Sequence, residues 1–150
     1  MRLVIQRVSE ASVVVNETEI SRIGNGLLVL VGVENEDTYQ DMEWLVAKTA
    51  NMRIFPDEHG VMNLSLLDID GEVLAVSQFT LTASTKKGNR PSYIRAAGHE
   101  LAIRLYDEYC QHLSDFIGKQ VKKGLFGADM KVGLVNDGPV TIIIDSRLRE

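Results

Sequence analysis

The sequence predicts an α+β fold in which a mainly antiparallel sheet curls into a barrel-like core that carries two main helices. Segments with the alternating or fully apolar pattern of strands cluster at both ends of the chain and occur once in the middle. Only two segments have helical periodicity, against about six strands or more. Doubly wound folds alternate strands with helices, so this ratio argues against such a fold. The 150 residues fit one domain, over residues 1–150.

The first third of the chain is predicted to form three strands. Residues 3–15 are rich in Val, Ile and Ser and partly alternate, with a bend expected near Glu10. Residues 16–19 are a turn signal, and residues 20–23 follow as a short strand. Residues 27–33 are apolar almost throughout, which is typical of a strand buried on both faces.

Two helices are predicted between the strands. The first covers residues 36–52, where Asp37 or Thr38 can cap the first turn and Gln40 or Asp41 follows three residues later. The second covers residues 91–117, because Pro91 suits the first turn of a helix. Its apolar side chains recur every four residues, at Ala97, Leu101, Leu105 and Tyr109.

A strand predicted over residues 72–81 changes character along its length. Its first half is apolar on both faces, and its second half becomes polar at Ser77, Gln78 and Thr80. Alternate side chains of a strand point to opposite faces, so Gln78 and Thr80 are expected on one face. Polar groups at the end of a buried strand need either neighbouring backbone or a ligand as partners, and the pattern leaves both open.

The C-terminal part is predicted as strands over residues 119–126, 131–136 and 139–145. The turn before the last strand contains Asn136, Gly138 and Pro139. Glycine allows close approach of the backbone to another group, and proline belongs at strand starts or bulges. A plain turn and a binding loop are both compatible with this segment.

The charge distribution is uneven. The net charge of −5 argues against a nucleic-acid partner, but no acidic residue lies between Glu72 and Glu100. This window contains Lys86, Lys87, Arg90 and Arg95, and a second basic stretch contains Lys119, Lys122 and Lys123. An acidic protein can present one positive face to phosphate, although a solvated basic loop would have the same composition.

Several classes of chemistry find no support in the sequence. The one cysteine, Cys110, cannot form an internal disulfide and is expected to be a packed thiol. The three histidines lack zinc-type spacing, so we expect neither a metal nor a cofactor. The N-terminus lacks a signal-peptide pattern, and no apolar run approaches the roughly 20 residues of a membrane span, so a cytoplasmic protein is expected.

Two segments together resemble the signature of the D-aminoacyl-tRNA deacylase family, also known as D-tyrosyl-tRNA deacylases. They are Ser-Gln-Phe-Thr at residues 77–80 and Asn-x-Gly-Pro-Val-Thr at residues 136–141. Residues 87–92, Lys-Gly-Asn-Arg-Pro-Ser, are also similar to the family, with Tyr93 where phenylalanine is common. The resemblance covers nearly the whole chain, including residues 53–55 and 62–65.

The resemblance implies hydrolysis of the ester bond of D-aminoacyl-tRNA by a homodimer whose active sites lie at the subunit interface. Ser77, Gln78, Phe79 and Thr80 would form the catalytic wall, with the backbone N–H of Phe79 in an oxyanion hole. Either Thr80 is a nucleophile, or a water attacks with help from the ribose 2′-hydroxyl. The second mechanism is preferred, because a hydroxyl nucleophile needs a base.

The resemblance also assigns the substrate contacts. Gly138 and Pro139 would form a cis peptide that one subunit inserts into the site of the other, with Asn136 beside them, to exclude L-aminoacyl groups. Such a gate would accept many D side chains and also glycine. Lys86, Lys87 and Arg90 would bind the acceptor end of tRNA.

Two other functions are compatible with the sequence. One is an esterase or acyltransferase of small molecules, and the other is a nucleic-acid-binding module without catalysis. A third possibility, a purely structural dimer, leaves the paired motifs unexplained.

Overall fold

The computed structural model describes residues 1–150 and contains eight strands, two α-helices and one short 3-10 turn. In chain order the elements are β1 Arg2–Val15, β2 Thr18–Ile23, β3 Gly26–Gly32, α1 Tyr39–Asn51, β4 Phe55–Pro56, β5 Met62–Leu64, β6 Glu72–Ser77, the 3-10 turn Phe79–Thr82, α2 His99–Ile117, β7 Lys122–Lys123 and β8 Lys131–Asp145. Six strands form the main sheet, and β4 and β5 form a small separate hairpin.

The main sheet is mixed and nearly closes into a barrel. β1 pairs antiparallel with β2, β3 and β8, whereas β3 with β6 and β6 with β7 are parallel. At the far edge the Ser21 hydroxyl of β2 donates to the carbonyl of Lys123 in β7 at 2.5 Å. The predicted α+β class with a curled sheet and two helices is therefore confirmed, with a larger parallel share than expected.

Both faces of the central strands are buried, as the apolar run in β3 predicts. Leu27 and Val29 alternate with Leu28 along β3, and the first two belong to the core under the helices. Leu28 belongs to a second core inside the barrel, together with Leu74 of β6. A strand buried on two sides in this way is held in a single register, because a shift of one residue would exchange its faces.

The two helices pack together on one side of the sheet. The Thr38 N–H and hydroxyl both donate to Asp41 at 2.8 Å, which is the predicted capping arrangement of α1. Thr49 of α1 and Tyr109 of α2 share a buried hydrogen bond of 2.8 Å between their hydroxyls. Neither helix combines the length and apolarity that a membrane crossing requires.

The second helix begins at His99, so the predicted start at Pro91 is wrong. Ser84 and Ser92 exchange two backbone hydrogen bonds of 2.9 Å, and the Ala97 N–H donates to Val33. These pairings hold residues 92–97 against other strands and loops, which removes them from the helix. The helix ends as expected for a glycine stop, with Gly118 at a φ of 67°.

Three strand boundaries also differ from the predictions. The strand predicted over residues 72–81 ends at Ser77, and the polar residues beyond it turn into the 3-10 element. The strand predicted over residues 119–126 contains only Lys122–Lys123, and the two strands at the C-terminus are one, β8. The predicted turn at residue 138 is instead an irregularity within β8, opposite the register shifts around Val8 of β1.

Candidate active site

The first predicted motif lies where β6 ends and the chain turns away from the sheet. Ser77 lies opposite Val31 of β3, and the next N–H, of Gln78, donates to the Val31 carbonyl at 2.8 Å. After this last bond to β3, residues 79–82 form the 3-10 turn, which we call the site turn. The Thr82 hydroxyl is buried and donates to the carbonyl of Phe79 at 2.8 Å, which closes the turn.

The polar groups of the site turn are oriented towards one another. The side-chain amide of Gln78 donates to the Thr80 hydroxyl oxygen at 2.5 Å. This amide is the only hydrogen-bond partner of the Thr80 side chain, and an amide donor cannot remove a proton from a hydroxyl. The N–H of Phe79 takes no part in any turn, cap or side-chain hydrogen bond, and the Phe79 ring is 57% exposed.

The site turn lies between two cavities. A cleft of about 460 Å³ is lined by Ser77, Gln78 and Phe79 and by residues from α2 and the loop before β8. Within it the rings of His99 and Phe126 meet edge to face, with centroids 5.4 Å apart. The cleft thus joins polar groups of the turn to an aromatic wall.

The second cavity is a groove of about 900 Å³ along the outer face of β8. Thr80 and Leu81 of the site turn line it together with Trp44, Ile143 and Leu148. Ile143 is 69% exposed and Leu148 is 62% exposed. An apolar face of this kind is typical of a surface that another protein covers.

The second predicted motif lies against a buried arginine, Arg7. The Arg7 guanidinium donates to the carbonyl of Asp137 at 2.8 Å and to that of Ile54 at 2.7 Å. The peptide bond between Gly138 and Pro139 is cis, as the family resemblance implies. A Cβ on Gly138 would lie 2.8 Å from the Val140 side chain and 3.0 Å from the Arg7 guanidinium, so only glycine fits.

The side chain of Asn136 braces this segment. Its carbonyl oxygen accepts from the Val140 N–H at 2.9 Å, and its amide donates to the Thr141 hydroxyl at 3.0 Å. Both polar ends of Asn136 are therefore used within the chain, while Gly138 and Pro139 are exposed beside it. Their exposed backbone is the part of the motif that can meet a ligand.

Within one chain the two motifs do not meet. Leu3 of β1 pairs with Val31 of β3, which pairs with Ser77 of β6, so Leu3 and Ser77 lie at the same level across the sheet. Arg7, which binds the Asp137 carbonyl, lies at the level of Val73, four residues from Ser77 along β6. Four residues along a strand span about 13 Å, and three strand spacings of about 4.8 Å separate β8 from β6.

The basic segments differ in how their charges are used. Lys86, Lys87 and Arg90 lie exposed in a loop that the paired Ser84 and Ser92 close at its base, and none of the three forms an ion pair. The second basic stretch is neutralised: Lys119, Lys122 and Lys123 form ion pairs with Asp70, Glu72 and Asp107. Only the first segment keeps its positive charge free for phosphate.

Cys110 matches the expectation of a packed thiol. It is buried in the core between the helices and the sheet. Burial, the largest cause, raises the pKa of this thiol to about 12, so it is protonated at neutral pH. The residue therefore takes no part in the site.

Comparison with known proteins decides the family. The model of a family described as D-Tyr-tRNA(Tyr) deacylase matches residues 4–145. The chain belongs to this family. Relatives named D-aminoacyl-tRNA deacylase are 59% identical in Porphyromonas gingivalis and 57% identical in Flavobacterium psychrophilum, each over 150 residues and 100% of both chains.

Solved structures agree with the fold. A structure described as c-Myc DNA unwinding element binding protein is 42% identical, with a TM-score of 0.92, over 97% of this chain and 98% of that chain. Another, described as a probable eukaryotic D-amino acid tRNA deacylase, is 18% identical with a TM-score of 0.83, over 95% and 97% of the two chains. The second likeness shows the fold alone.

The predicted residues form three groups, the site turn, the Gly138–Pro139 segment and the basic loop, and two further residues join the first. The structure brings Ser77, Gln78, Phe79 and Thr80 together at one turn, while residues 136–139 lie elsewhere on the surface. The cleft also contains His99 and Phe126, which the sequence analysis did not single out. The spacing of the histidines tests His99 only as a metal ligand, and no periodic pattern marks Phe126. The fold brings both residues to β6 from distant segments.

Proposed function

We propose that this protein hydrolyses the ester bond between a D-amino acid and the terminal adenosine of tRNA, releasing free D-amino acid and tRNA. Family membership and the full-length relatives support this class of reaction. One structural observation carries the proposal. The family motif at residues 77–80 ends a buried strand in a turn whose residues line both an aromatic cleft and an apolar groove.

The terminal adenosine fits the cleft beside the site turn. Its volume of about 460 Å³ lies within the range of small-molecule sites, roughly 300–1,000 Å³. The Phe126 ring offers a face or edge for the base, and stacking on an aromatic side chain is worth about 1–3 kcal/mol per base. Binding there would place the ester beside Gln78, Phe79 and Thr80.

The reaction would proceed by attack of water on the ester carbonyl. The N–H of Phe79, with Gln78 or Thr80, would hold the oxyanion that forms; one such donor is typically worth about 10²–10³ in rate. The carbon–oxygen bond to the ribose then breaks, and the leaving 3′-oxygen takes the proton that the water gives up. Thr80 is a poor nucleophile here, because its hydroxyl accepts a hydrogen bond from Gln78 and contacts no base.

The Gly138–Pro139 segment would act as a chiral gate in the site of a second copy of the chain. The separation of the two motifs within one chain supports a dimer, as does the apolar groove that contains Thr80 and Ile143. In a symmetric dimer each copy contributes the same surface, so both sites would be completed at once. The exposed backbone carbonyls of Gly138 and Pro139 would hold the substrate amino group and occupy the space of an L side chain. Glycyl-tRNA would pass this gate.

The chirality of the substrate tests the proposed function. Purified protein should cleave D-tyrosyl-tRNA more than about 100-fold faster than L-tyrosyl-tRNA, since a steric penalty of roughly 3 kcal/mol produces such a ratio. Release of labelled tyrosine under single-turnover conditions measures both rates. Equal rates would contradict the chiral gate. Equally fast cleavage of a free D-tyrosine ester would indicate a small-molecule esterase, and no cleavage at all would indicate a binding module.

The ribose 2′-hydroxyl supplies the assistance that the chain lacks in this mechanism. D-tyrosyl-tRNA that ends in 2′-deoxyadenosine, with the ester on the 3′-oxygen, should therefore be cleaved about 10²–10⁴-fold more slowly, the usual contribution of acid–base assistance. Binding of this substrate, measured as competition with the normal one, should change little. Undiminished cleavage would contradict assistance by the 2′-hydroxyl and would favour Thr80 as the nucleophile.

The free charges of the basic loop would contact tRNA phosphates. The double variant Lys86→Ala and Lys87→Ala should weaken tRNA binding and reduce the slope of log affinity against log salt by about 1.4–1.8, the contribution of two phosphate contacts. The matched control removes two paired lysines, Lys119 and Lys122. A slope unchanged in the first variant, or reduced equally in the control, would exclude the loop from the tRNA interface.

A further inference from the structure

Two arginines from outside the site turn hold its last two carbonyls. Arg2 of β1 donates through Nη1 to the carbonyl oxygen of Leu81 at 2.9 Å. Arg95, from the segment before α2, donates through Nη2 to the carbonyl oxygen of Thr82 at 3.2 Å. These contacts are the only side-chain hydrogen bonds to the carbonyls at the end of the turn, which a four-residue element cannot satisfy by itself.

Arg2 is itself fixed by a carboxylate. Its Nε and Nη2 both donate to Oδ2 of Asp145, at 3.2 and 2.9 Å, so all three kinds of guanidinium nitrogen have a partner. Partial burial opposes ionisation of Asp145, but hydrogen bonds from the Arg147 backbone and from Arg2 hold the Asp145 pKa below its ordinary value. The carboxylate therefore stays charged at neutral pH and keeps Arg2 in this orientation.

Arg95 has a similar support. Its Nη1 lies 3.4 Å from Oε1 of Glu34, whose side chain is only 11% exposed, and Arg147 approaches the other oxygen of Glu34 at 3.7 Å. Together with Asp145, these groups line a polar cavity of about 550 Å³ behind the site turn. The two arginines thus connect the turn to the end of β8 and to the segment after β3.

This arrangement restrains the turn without touching a substrate in the cleft. Neither Arg2 nor Arg95 lines the cleft that contains Gln78 and Phe79, although Arg2 lines the groove on the other side of the turn, beside Thr80. A turn of four residues has few internal bonds, so fixing its last carbonyls limits the orientation of the Phe79 N–H two and three residues earlier. Misplacement of a reacting group by about 1 Å can cost roughly 100-fold in rate.

We propose that Arg2, supported by Asp145 and acting in parallel with Arg95, is a positioning residue that holds the site turn in the geometry needed to stabilise the oxyanion. This role rests on the proposed deacylase function. Lysine cannot replace Arg2 fully, because a single ammonium nitrogen cannot reproduce three separate nitrogens that donate to the Leu81 carbonyl and to Oδ2 of Asp145.

The test compares Arg2→Ala and Arg2→Lys with Arg22→Ala in cleavage of D-tyrosyl-tRNA. Arg22 is a matched control, because it is an arginine of the same sheet that pairs with Glu10 and Glu19, away from the site. Arg2→Ala should lower kcat about 10- to 100-fold with KM within about threefold of the original chain. The kcat of Arg2→Lys should lie between those of Arg2→Ala and the original chain, and the kcat of Arg22→Ala should match that of the original chain.

Amide hydrogen exchange provides a readout that needs no substrate. In Arg2→Lys the amides of Leu81 and Ala83, which donate to the carbonyls of Gln78 and Thr80 at 3.2 and 3.1 Å, should exchange at least about tenfold faster, while those of α1 keep their rates. This variant keeps the positive charge, so it serves if Arg2→Ala does not fold.

The outcomes separate this role from the function on which it rests. An original chain that cleaves no D-aminoacyl-tRNA would overturn the function. An active original chain would instead overturn the positioning role if both Arg2 variants kept kcat within about twofold, if KM rose in proportion, or if exchange at the turn stayed unchanged.

Discussion

One strand, β1, determines where both motifs lie. Its Arg2 binds a carbonyl of the site turn, and its Arg7 binds the carbonyl of Asp137 beside the Gly138–Pro139 segment. Five residues along a strand span about 16 Å, so the same strand that anchors the two motifs also keeps them apart. Because β1 pairs with three other strands, neither motif can move towards the other without breaking the sheet. This separation supports the proposed site, in which two copies of the chain each supply one motif.

The sequence predicted the features that depend on local pattern. The apolar run of β3 indicated burial on both faces, and Thr38 with Asp41 indicated the start of α1. The change from apolar to polar residues after Val76 indicated a group of polar residues at a strand end, which the structure places at one turn. Each of these signals lies within a few adjacent residues, where side-chain chemistry and spacing determine the local conformation.

Predictions failed where distant segments compete for the same backbone. Residues after Ser77 leave the sheet because β6 makes its last bond to β3 at Gln78, and Ser92 pairs with Ser84 instead of entering α2. The cleft residues His99 and Phe126 come from α2 and the loop before β8, and no pattern along the chain relates them to β6. The contacts of Arg2 and Arg95 with the site turn could not be predicted for the same reason. Arg95 stood out only as part of the basic window, and Arg2 and Leu81 are brought together only by the pairing of β1 with β3.

The Gly138–Pro139 segment is proposed to act as a gate on the site of the partner copy, and mixing of subunits tests this role most directly. The gate variant Pro139→Ala should cleave both D- and L-tyrosyl-tRNA, because it lacks the ring that helps to fill the space of an L side chain. Co-expression with an excess of chains carrying Gln78→Ala and Thr80→Ala pairs most Pro139→Ala chains with a partner whose gate is intact but whose catalytic residues are not. Per Pro139→Ala chain, cleavage of L-tyrosyl-tRNA should then fall, whereas cleavage of D-tyrosyl-tRNA should be preserved. L-tyrosyl-tRNA cleavage that persists in proportion to the Pro139→Ala chains would contradict a gate that acts between copies.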